Sequence, residues 1–599
     1  MALGELEQSP STLYFEIPFG TEKSLSPGGP LRRSHEPRKL KMRIYKCGLV
    51  ATLRLALNLL FCACAFGQAD VVTSEGITSQ LHRVNLAKIL FTAKPIAAEN
   101  LQEKDFLTTV ELRGTTDLNF RAFLANSLTN YLHQLAPELT LDELTRQGNY
   151  QFSFFLDGAL VYQENMNPFW IRAENKNKQT TLGMTLINAA EPDSGSAGAR
   201  IWRLFLMNGG AEALTAGVHR LKIELRPYLR ISLNKVGGLI AAGELQVIVP
   251  PKSASDKRVT AVQAIQPNSG WPVPKPLYDK RKLEHLNRAI AEKLYKDIQS
   301  VVVIRDGKLL IEEYFNGATR GTLHDTRSVG KSFTSTMMGI ALNDGYIKSE
   351  NQTLRDFYDL RKFANYSPKK ESVTIKSLLT MSSGFDANDD DQNSPGNEEK
   401  MYPTNDWVKF ALDLPMDEKR NVGERWAYFT AGVILLGDIL NKSVPGGLEK
   451  YAEKKLFQPL GITKYEWQYT PQKVPNTAGG IRMRALDFAR YGQLYRNGGQ
   501  WNGKQVLRRT WVEKTFTKQI PLSQGGDDYY GYLFWNTTFD IDGKKHEAFF
   551  ATGNGGSKIF VFKDEPFVIV ITATAYNKWY MHAQVFSMMN RYILPAVMK

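Results

Sequence analysis

Cysteine is scarce. The 599 residues hold three, Cys47, Cys62 and Cys64, and all three fall inside one apolar stretch near the N-terminus. From residue 65 onward there is no thiol for a disulfide framework, an iron–sulfur cluster or a Cys-ligated zinc. The eight histidines are scattered, with no H-E-x-x-H and no close pair, so no metal site is expected. No G-x-S-x-G is present, which removes the strained strand-to-helix nucleophile turn that this pattern builds. The run Gly330-Lys331-Ser332 ends like a phosphate-binding loop, but Asp325 stands where its first glycine belongs. Internal repeats and extended low-complexity segments are also missing, and no organic cofactor is implied.

Charge of one sign is in modest excess. Lys and Arg outnumber Asp and Glu by 75 to 61, a net +14, yet no basic run reaches five residues and no recognition motif accompanies the charge. The expectation is a mildly cationic solvated surface and no nucleic-acid partner, with attraction to anionic cell-wall polymers as a further expectation. Hydrophobic residues at 43% and charged residues at 23% match a chain that folds around a core.

The stretch 47–67 (CGLVATLRLALNLLFCACAFG) follows Lys39, Lys41, Arg43 and Lys46 and ends in small residues, the layout of a secretory signal peptide. Arg54 and Asn58 shorten its apolar part below the roughly 20 residues of a spanning helix. Cleavage near Ala65 or Gly67 is expected, with a retained N-terminal anchor or a lipid on Cys64 as alternatives. The protein is then exported, periplasmic or secreted, and membrane-associated only through that segment. Residues 1–41 read as disordered or untranslated, with Met42 as the candidate start.

Four regions follow from the pattern. After the extension 1–67, residues 68–250 alternate apolar and polar at 150–156, 200–206, 219–225 and 244–249, which predicts an all-β sandwich with a helix-like insert over 120–135. Prolines concentrated in 251–277 predict a linker. Residues 278–599 form the larger domain: a helix over 279–298, a hairpin turning at Asp306 and Gly307, helical segments in the middle, and strands at 558–562 and 567–575.

Chemistry concentrates at Ser328-Val329-Gly330-Lys331, followed by a helix-compatible run that Gly345 terminates. Residues three apart share a helical face, so the serine hydroxyl sits one turn from the Lys331 amine, and burial lowers a lysine pKa toward that of a usable base. This is an activated nucleophile without histidine, although a bare S-x-x-K is also found on ordinary surface helices.

The segment TRSVGKSFTSTMMGIALNDGYI (326–347) resembles the serine-bearing helix of the serine β-lactamase and penicillin-binding-protein superfamily, in its class C-like branch of esterases, D-stereospecific peptidases and amide hydrolases. The resemblance continues in order through TIKSLLTMSSGF (374–385), GERWAYFTAGVILLGDIL (423–440), LFQPLGITKYEW (456–467), GGIRMRALDFARYGQLYRNGG (479–499) and YYGYLFWN (529–536), and covers roughly 280–599. It implies a β-lactamase-like α/β (α+β) domain, an antiparallel sheet flanked by helices with a helical subdomain.

The resemblance also implies roles. Ser328 is the nucleophile. Lys331 and Tyr428 share proton transfer, Tyr428 having a pKa lowered by the neighbouring ammonium. Tyr428-Phe429-Thr430 is expected to run extended, so that Tyr428 and Thr430 face the site together. Ala551-Thr552-Gly553 aligns with the third family element, which makes Thr552 and Gly553 substrate contacts and the backbone amides of Ser328 and Asn554 the oxyanion hole. Ala551 stands where many relatives carry Lys or His, which points away from β-lactam hydrolysis. The expected function is an exported serine hydrolase acting on a small-molecule, peptide or ester substrate, or on a cell-wall component. The alternatives are a catalytically weak sensor of cell-wall or acyl-D-amino acid ligands, and a transacylase.

Overall fold

The structure, a computed structural model, describes residues 71–72, 75–77, 79–231, 234–251, 260–522 and 528–598. The expected signal peptide and the extension before it lie outside the described residues. The chain divides into two compact units, to which described residues 71–251 and 260–598 belong.

The first unit carries β1 (Ile89–Thr92), β2 (Phe106–Leu107), β3 (Thr109–Glu111), β4 (Leu118–Phe123), β5 (Gly148–Leu156), β6 (Ala159–Asn165), β7 (Thr181–Ile187), β8 (Gly217–Leu229), β9 (Lys235–Val236) and β10 (Ala241–Val249). Among the described residues they form two sheets, ordered β2-β1-β4-β7 and β3-β10-β8-β5-β6, with β9 beside β8. Alternation explains the core. Phe152 pairs with Leu225 and Phe154 with Ile223 across β5 and β8, and the Phe152 ring meets Phe120 of the other sheet at 6.0 Å. Each such fully buried side chain contributes about 1.5–3 kcal/mol. The sheets touch at β1 and β10, where a side chain on Gly243 would run into the backbone of Ile89. The unit is β-rich with two packed sheets, as expected, but it is not all-β, since it also carries helices at Leu128–Leu135, Leu141–Gln147, Ala173–Lys178 and Ala197–Phe205.

Two local expectations fail. Residues 200–205 belong to α2 (Ala197–Phe205) and Leu206 follows it in a further helical turn, since Ile201, Trp202, Leu204 and Phe205 are buried at helical spacing and Phe205 stacks on Phe154 at 4.8 Å. The insert over 120–135 is β4 followed by α1 (Leu128–Leu135); its start is marked by Ser127, which caps the Asn130 amide.

The second unit opens with α3 (Lys280–Ala291), shorter than the expected 279–298 because Lys293 and Asp297 take positive φ and Ile298 begins a strand. Its strands are β11 (Ile298–Arg305), β12 (Lys308–Tyr314), β13 (His324–Asp325), β14 (Tyr465–Trp467), β15 (Ile481–Met483), β16 (Gln500–Trp501), β17 (Lys504–Gln505), β18 (Ile520–Pro521), β19 (Tyr529–Gly531), β20 (Phe534–Ile541), β21 (Lys544–Thr552), β22 (Lys558–Phe562) and β23 (Phe567–Ala573). Eight of them make one antiparallel sheet, β12-β11-β23-β22-β21-β20-β19-β18. Asp306 and Gly307, with φ of 52° and 70°, close the predicted hairpin between β11 and β12.

Helices cover both faces of this sheet. Besides α4 (Val329–Asn343) and α5 (Thr430–Ser443), the unit has α6 (Ala485–Arg496) and α7 (Ala583–Met588). A side chain on Gly492 of α6 would sit 2.5 Å from Val568 and 2.8 Å from Ile559, whereas Phe586 of α7 packs on Phe550 and Phe560. Because strand residues alternate, odd positions of β22 face α6 and even positions face α7. Asp487 of α6 is fully buried between Arg484 and Arg490, the structural ion pair its spacing suggests.

Within the proline-rich stretch read as a linker over 251–277, described residues 263–272 are bonded to the second unit. The Leu309 amide donates to the Pro272 carbonyl at 2.8 Å, Gln263 brackets the Tyr314 backbone, Arg320 donates to the carbonyls of Gln266 and Pro267, and Trp271 meets Trp501 edge-on. Proline here limits ladder bonding without detaching the chain.

Candidate active site

Ser328 occupies the position before α4, where a serine normally caps the helix. Its hydroxyl makes no capping bond. It receives one instead from Lys331 Nζ at 2.8 Å, one turn on, and the same Nζ donates to the Ala478 carbonyl at 2.8 Å. Arg327, just before, has φ of 44°, the left-handed turn that brings the chain from β13 into the helix. Lys331 is buried, and burial lowers its pKa against the opposing pull of Glu398 and Asp389. Burial thereby biases the amine beside the hydroxyl toward its neutral form.

Tyr428 completes the contact. Its hydroxyl is hydrogen-bonded to Ser328, and Lys331 Nζ lies 5.2 Å from its ring centre. Trp535 stacks on the phenol at 5.9 Å and Trp426 leans against it at 6.1 Å. The expected lowering of its pKa is reversed: burial pushes the phenol well above its ordinary value, with Tyr530 adding to the shift. The phenol is thereby biased toward its neutral form, and the bond with Ser328 pulls its pKa the other way. The extended reading of 428–430 is also corrected, because Phe429 precedes α5 and Thr430 is its first residue. Thr430 is fully buried, and its backbone N–H donates to Asp389 Oδ2 at 2.7 Å.

Gly553 ends β21 against the nucleophile. A side chain there would lie 2.5 Å from the Thr326 carbonyl oxygen and 3.1 Å from the Ser328 amide nitrogen, so only glycine permits this approach. Among the described residues the amides of Ser328 and Asn554 take no protein acceptor. Asn554 is fixed by a reciprocal pair with Asn577, at 2.6 and 2.8 Å. Thr552 is a correction. Its hydroxyl accepts from Lys558, which lies over the Phe550 and Phe586 rings, so it points to the α7 face and away from Gly553 and Ser328.

Sequence reasoning missed Asp389, the Ala478 carbonyl and the aromatic wall of Trp426, Tyr530 and Trp535. The run of acidic residues at 386–391 was the available signal for the first. Together, the hydroxyl, a desolvated amine, a phenol and two unpaired amides are the parts an acyl-transfer reaction needs. Among the described residues no group of three or more His, Cys, Asp or Glu side chains could hold a metal ion, and no helix is long and apolar enough to cross a membrane.

Residues 288–583 match the Beta-lactamase family model. Protein flp of Staphylococcus aureus is 21% identical over 193 residues, 31% of this chain, and the match spans only 38% of that protein's own length. A solved octameric penicillin-binding protein homologue from Pyrococcus abyssi is similar at 20% identity and a TM-score of 0.40, covering 52% of this chain and 78% of that one. A family VIII carboxylesterase is similar at 13% identity and a TM-score of 0.41, covering 53% and 98%.

Proposed function

Since residues 288–583 belong to the β-lactamase family, in the serine β-lactamase and penicillin-binding-protein-like superfamily, we propose that this chain is a serine hydrolase that cleaves an ester or amide through an acyl-enzyme on Ser328. The observation that carries the reading is the convergence of Lys331 Nζ and the Tyr428 hydroxyl on one serine oxygen.

Ser328 Oγ attacks the substrate carbonyl as neutral Lys331 takes the hydroxyl proton. The amides of Ser328 and Asn554 receive the oxyanion, a service for which one donor is worth about 10²–10³ in rate. Tyr428 passes a proton to the leaving group and is reprotonated by Lys331, so the alcohol or amine departs neutral and the acyl group stays on Oγ. Water, deprotonated through the same pair, then releases the acid and restores the serine. The apolar stretch 47–67 supports export of this activity.

The test is hydrolysis of p-nitrophenyl butyrate and of a chromogenic cephalosporin by the full chain beside Ser328→Ala, with intact mass after each incubation. Ester turnover that disappears with the serine is the expected result. A wild-type chain that neither turns over nor gains acyl mass overturns the proposal.

A further inference from the structure

One side chain outside the expected set is tied to the site by more bonds than any of its neighbours in the acidic loop. The Asp389 carboxylate accepts the Thr430 amide on Oδ2 at 2.7 Å and the Glu398 amide on Oδ1 at 2.8 Å. Its own N–H donates to the Tyr428 carbonyl at 2.8 Å, and its carbonyl accepts from Asn397 Nδ2 at 3.0 Å. The backbone on both sides of Phe429 is thus fastened to a residue about forty positions earlier. Phe429, which occupies the cap position of α5, offers no side-chain cap, and the Asp389 carboxylate takes that place from outside the helix.

We propose that Asp389 is a positioning residue of the hydrolytic site, holding Tyr428 against Ser328 by fastening the backbone on both sides of Phe429. The proposal rests on the serine hydrolase reading. The two oxygens of Asp389 accept the backbone N–H groups of Thr430, which opens α5, and of Glu398. Asp389 and Glu398 are the two carboxylates whose charge raises the Lys331 pKa, while burial of the amine lowers it. Burial, with Glu398 adding to it, raises the Asp389 pKa well above its ordinary value against the pull of Thr430 and Lys331, so its hold on the site runs through hydrogen bonds rather than charge. Asp390, pushed up to about 7 by burial and Glu398, and Tyr402, bonded to Glu398 at 2.7 Å, complete the titratable surroundings on that side. Ser328 and Tyr428 face the amine from the other.

The experiment is a pair of measurements on the full chain: the Tyr428 signal in protein labelled with ζ-¹³C-tyrosine, assigned by its loss in Tyr428→Phe, and the rate at which a fluorophosphonate labels Ser328. In Asp389→Asn, which turns one of the two acceptors into a donor, the Tyr428 signal should shift and the labelling plateau should drop about tenfold. Added to Tyr428→Phe the same change should cost less than about twofold more, because it acts through the phenol, whereas simple destabilisation would cost the same in both backgrounds. An unmoved Tyr428 signal or an unaltered plateau in Asp389→Asn overturns the proposal. If that variant does not fold, Asp389→Glu decides by the same two readouts. A wild type that resists the fluorophosphonate counts against the hydrolase reading alone, since the Tyr428 signal still reports the link to Asp389.

Discussion

Two fully buried lysines sit on opposite faces of the same sheet. Lys331 touches a serine hydroxyl and a carbonyl, with Asp389 and Glu398 within electrostatic reach. Lys558 touches Thr552 and His582 Nδ1, lies over two phenylalanine rings, and has burial as the sole cause of its lowered pKa. Desolvation depresses both amines, so a depressed lysine pKa by itself does not locate a catalytic group. The neighbours separate them: a nucleophile and compensating carboxylates on one face, and on the other a threonine, an imidazole itself driven toward neutrality, and hydrocarbon.

The comparison can be broken most directly at its active end. Ser328→Ala should lower ester hydrolysis by about 10⁴-fold or more, measured as kcat/KM with the melting temperature unchanged. Lys331→Met should cost about 10³-fold, and the same exchange at Lys558 less than about threefold; similar losses at the two positions would erase the distinction. Tyr428→Phe keeps the aromatic packing and removes the relay, for which about 10²-fold in kcat is expected, with little change in KM. Gly553→Ala should lower kcat about tenfold and stability by about 1–3 kcal/mol, since the methyl meets the Thr326 carbonyl at 2.5 Å; denaturant melts check the second figure.

The smallest effect sharpens the other end. The folded-state pKa of Lys558 lies below its ordinary 10.5, so the unfolded chain binds the extra proton and stability rises with pH through the window up to 10.5. Lys558→Met removes that dependence. The variant should melt above the wild type at pH 7, and the gap should close as pH approaches 10.5. A gap independent of pH would mean that packing, and not the amine, sets the difference.

What the sequence disclosed divides along the same line. Contacts set by local spacing were legible: Ser328 and Lys331 one turn apart, the Asp306-Gly307 hairpin, and the apolar runs that became β22 and β23. Properties set by distant segments were not. The pKa direction of Tyr428 depends on burial among aromatic residues more than a hundred positions away, including Tyr530 and Trp535. The outward aim of Thr552 depends on which face α7 covers, and Asp389 enters the site through backbone bonds that no motif encodes. In the first unit, RIWRLFL satisfies a two-residue alternation and a helical stripe alike, and packing on Phe154 selects the helix.

The approach of Gly553 to Ser328 also bears on how such a sequence can drift. A lineage has no substitute for the glycine, because every other residue carries the atom that collides with the chain before the nucleophile. Selection for a new substrate must therefore act at other positions, and the preference of the site can be rewritten while its reaction is inherited.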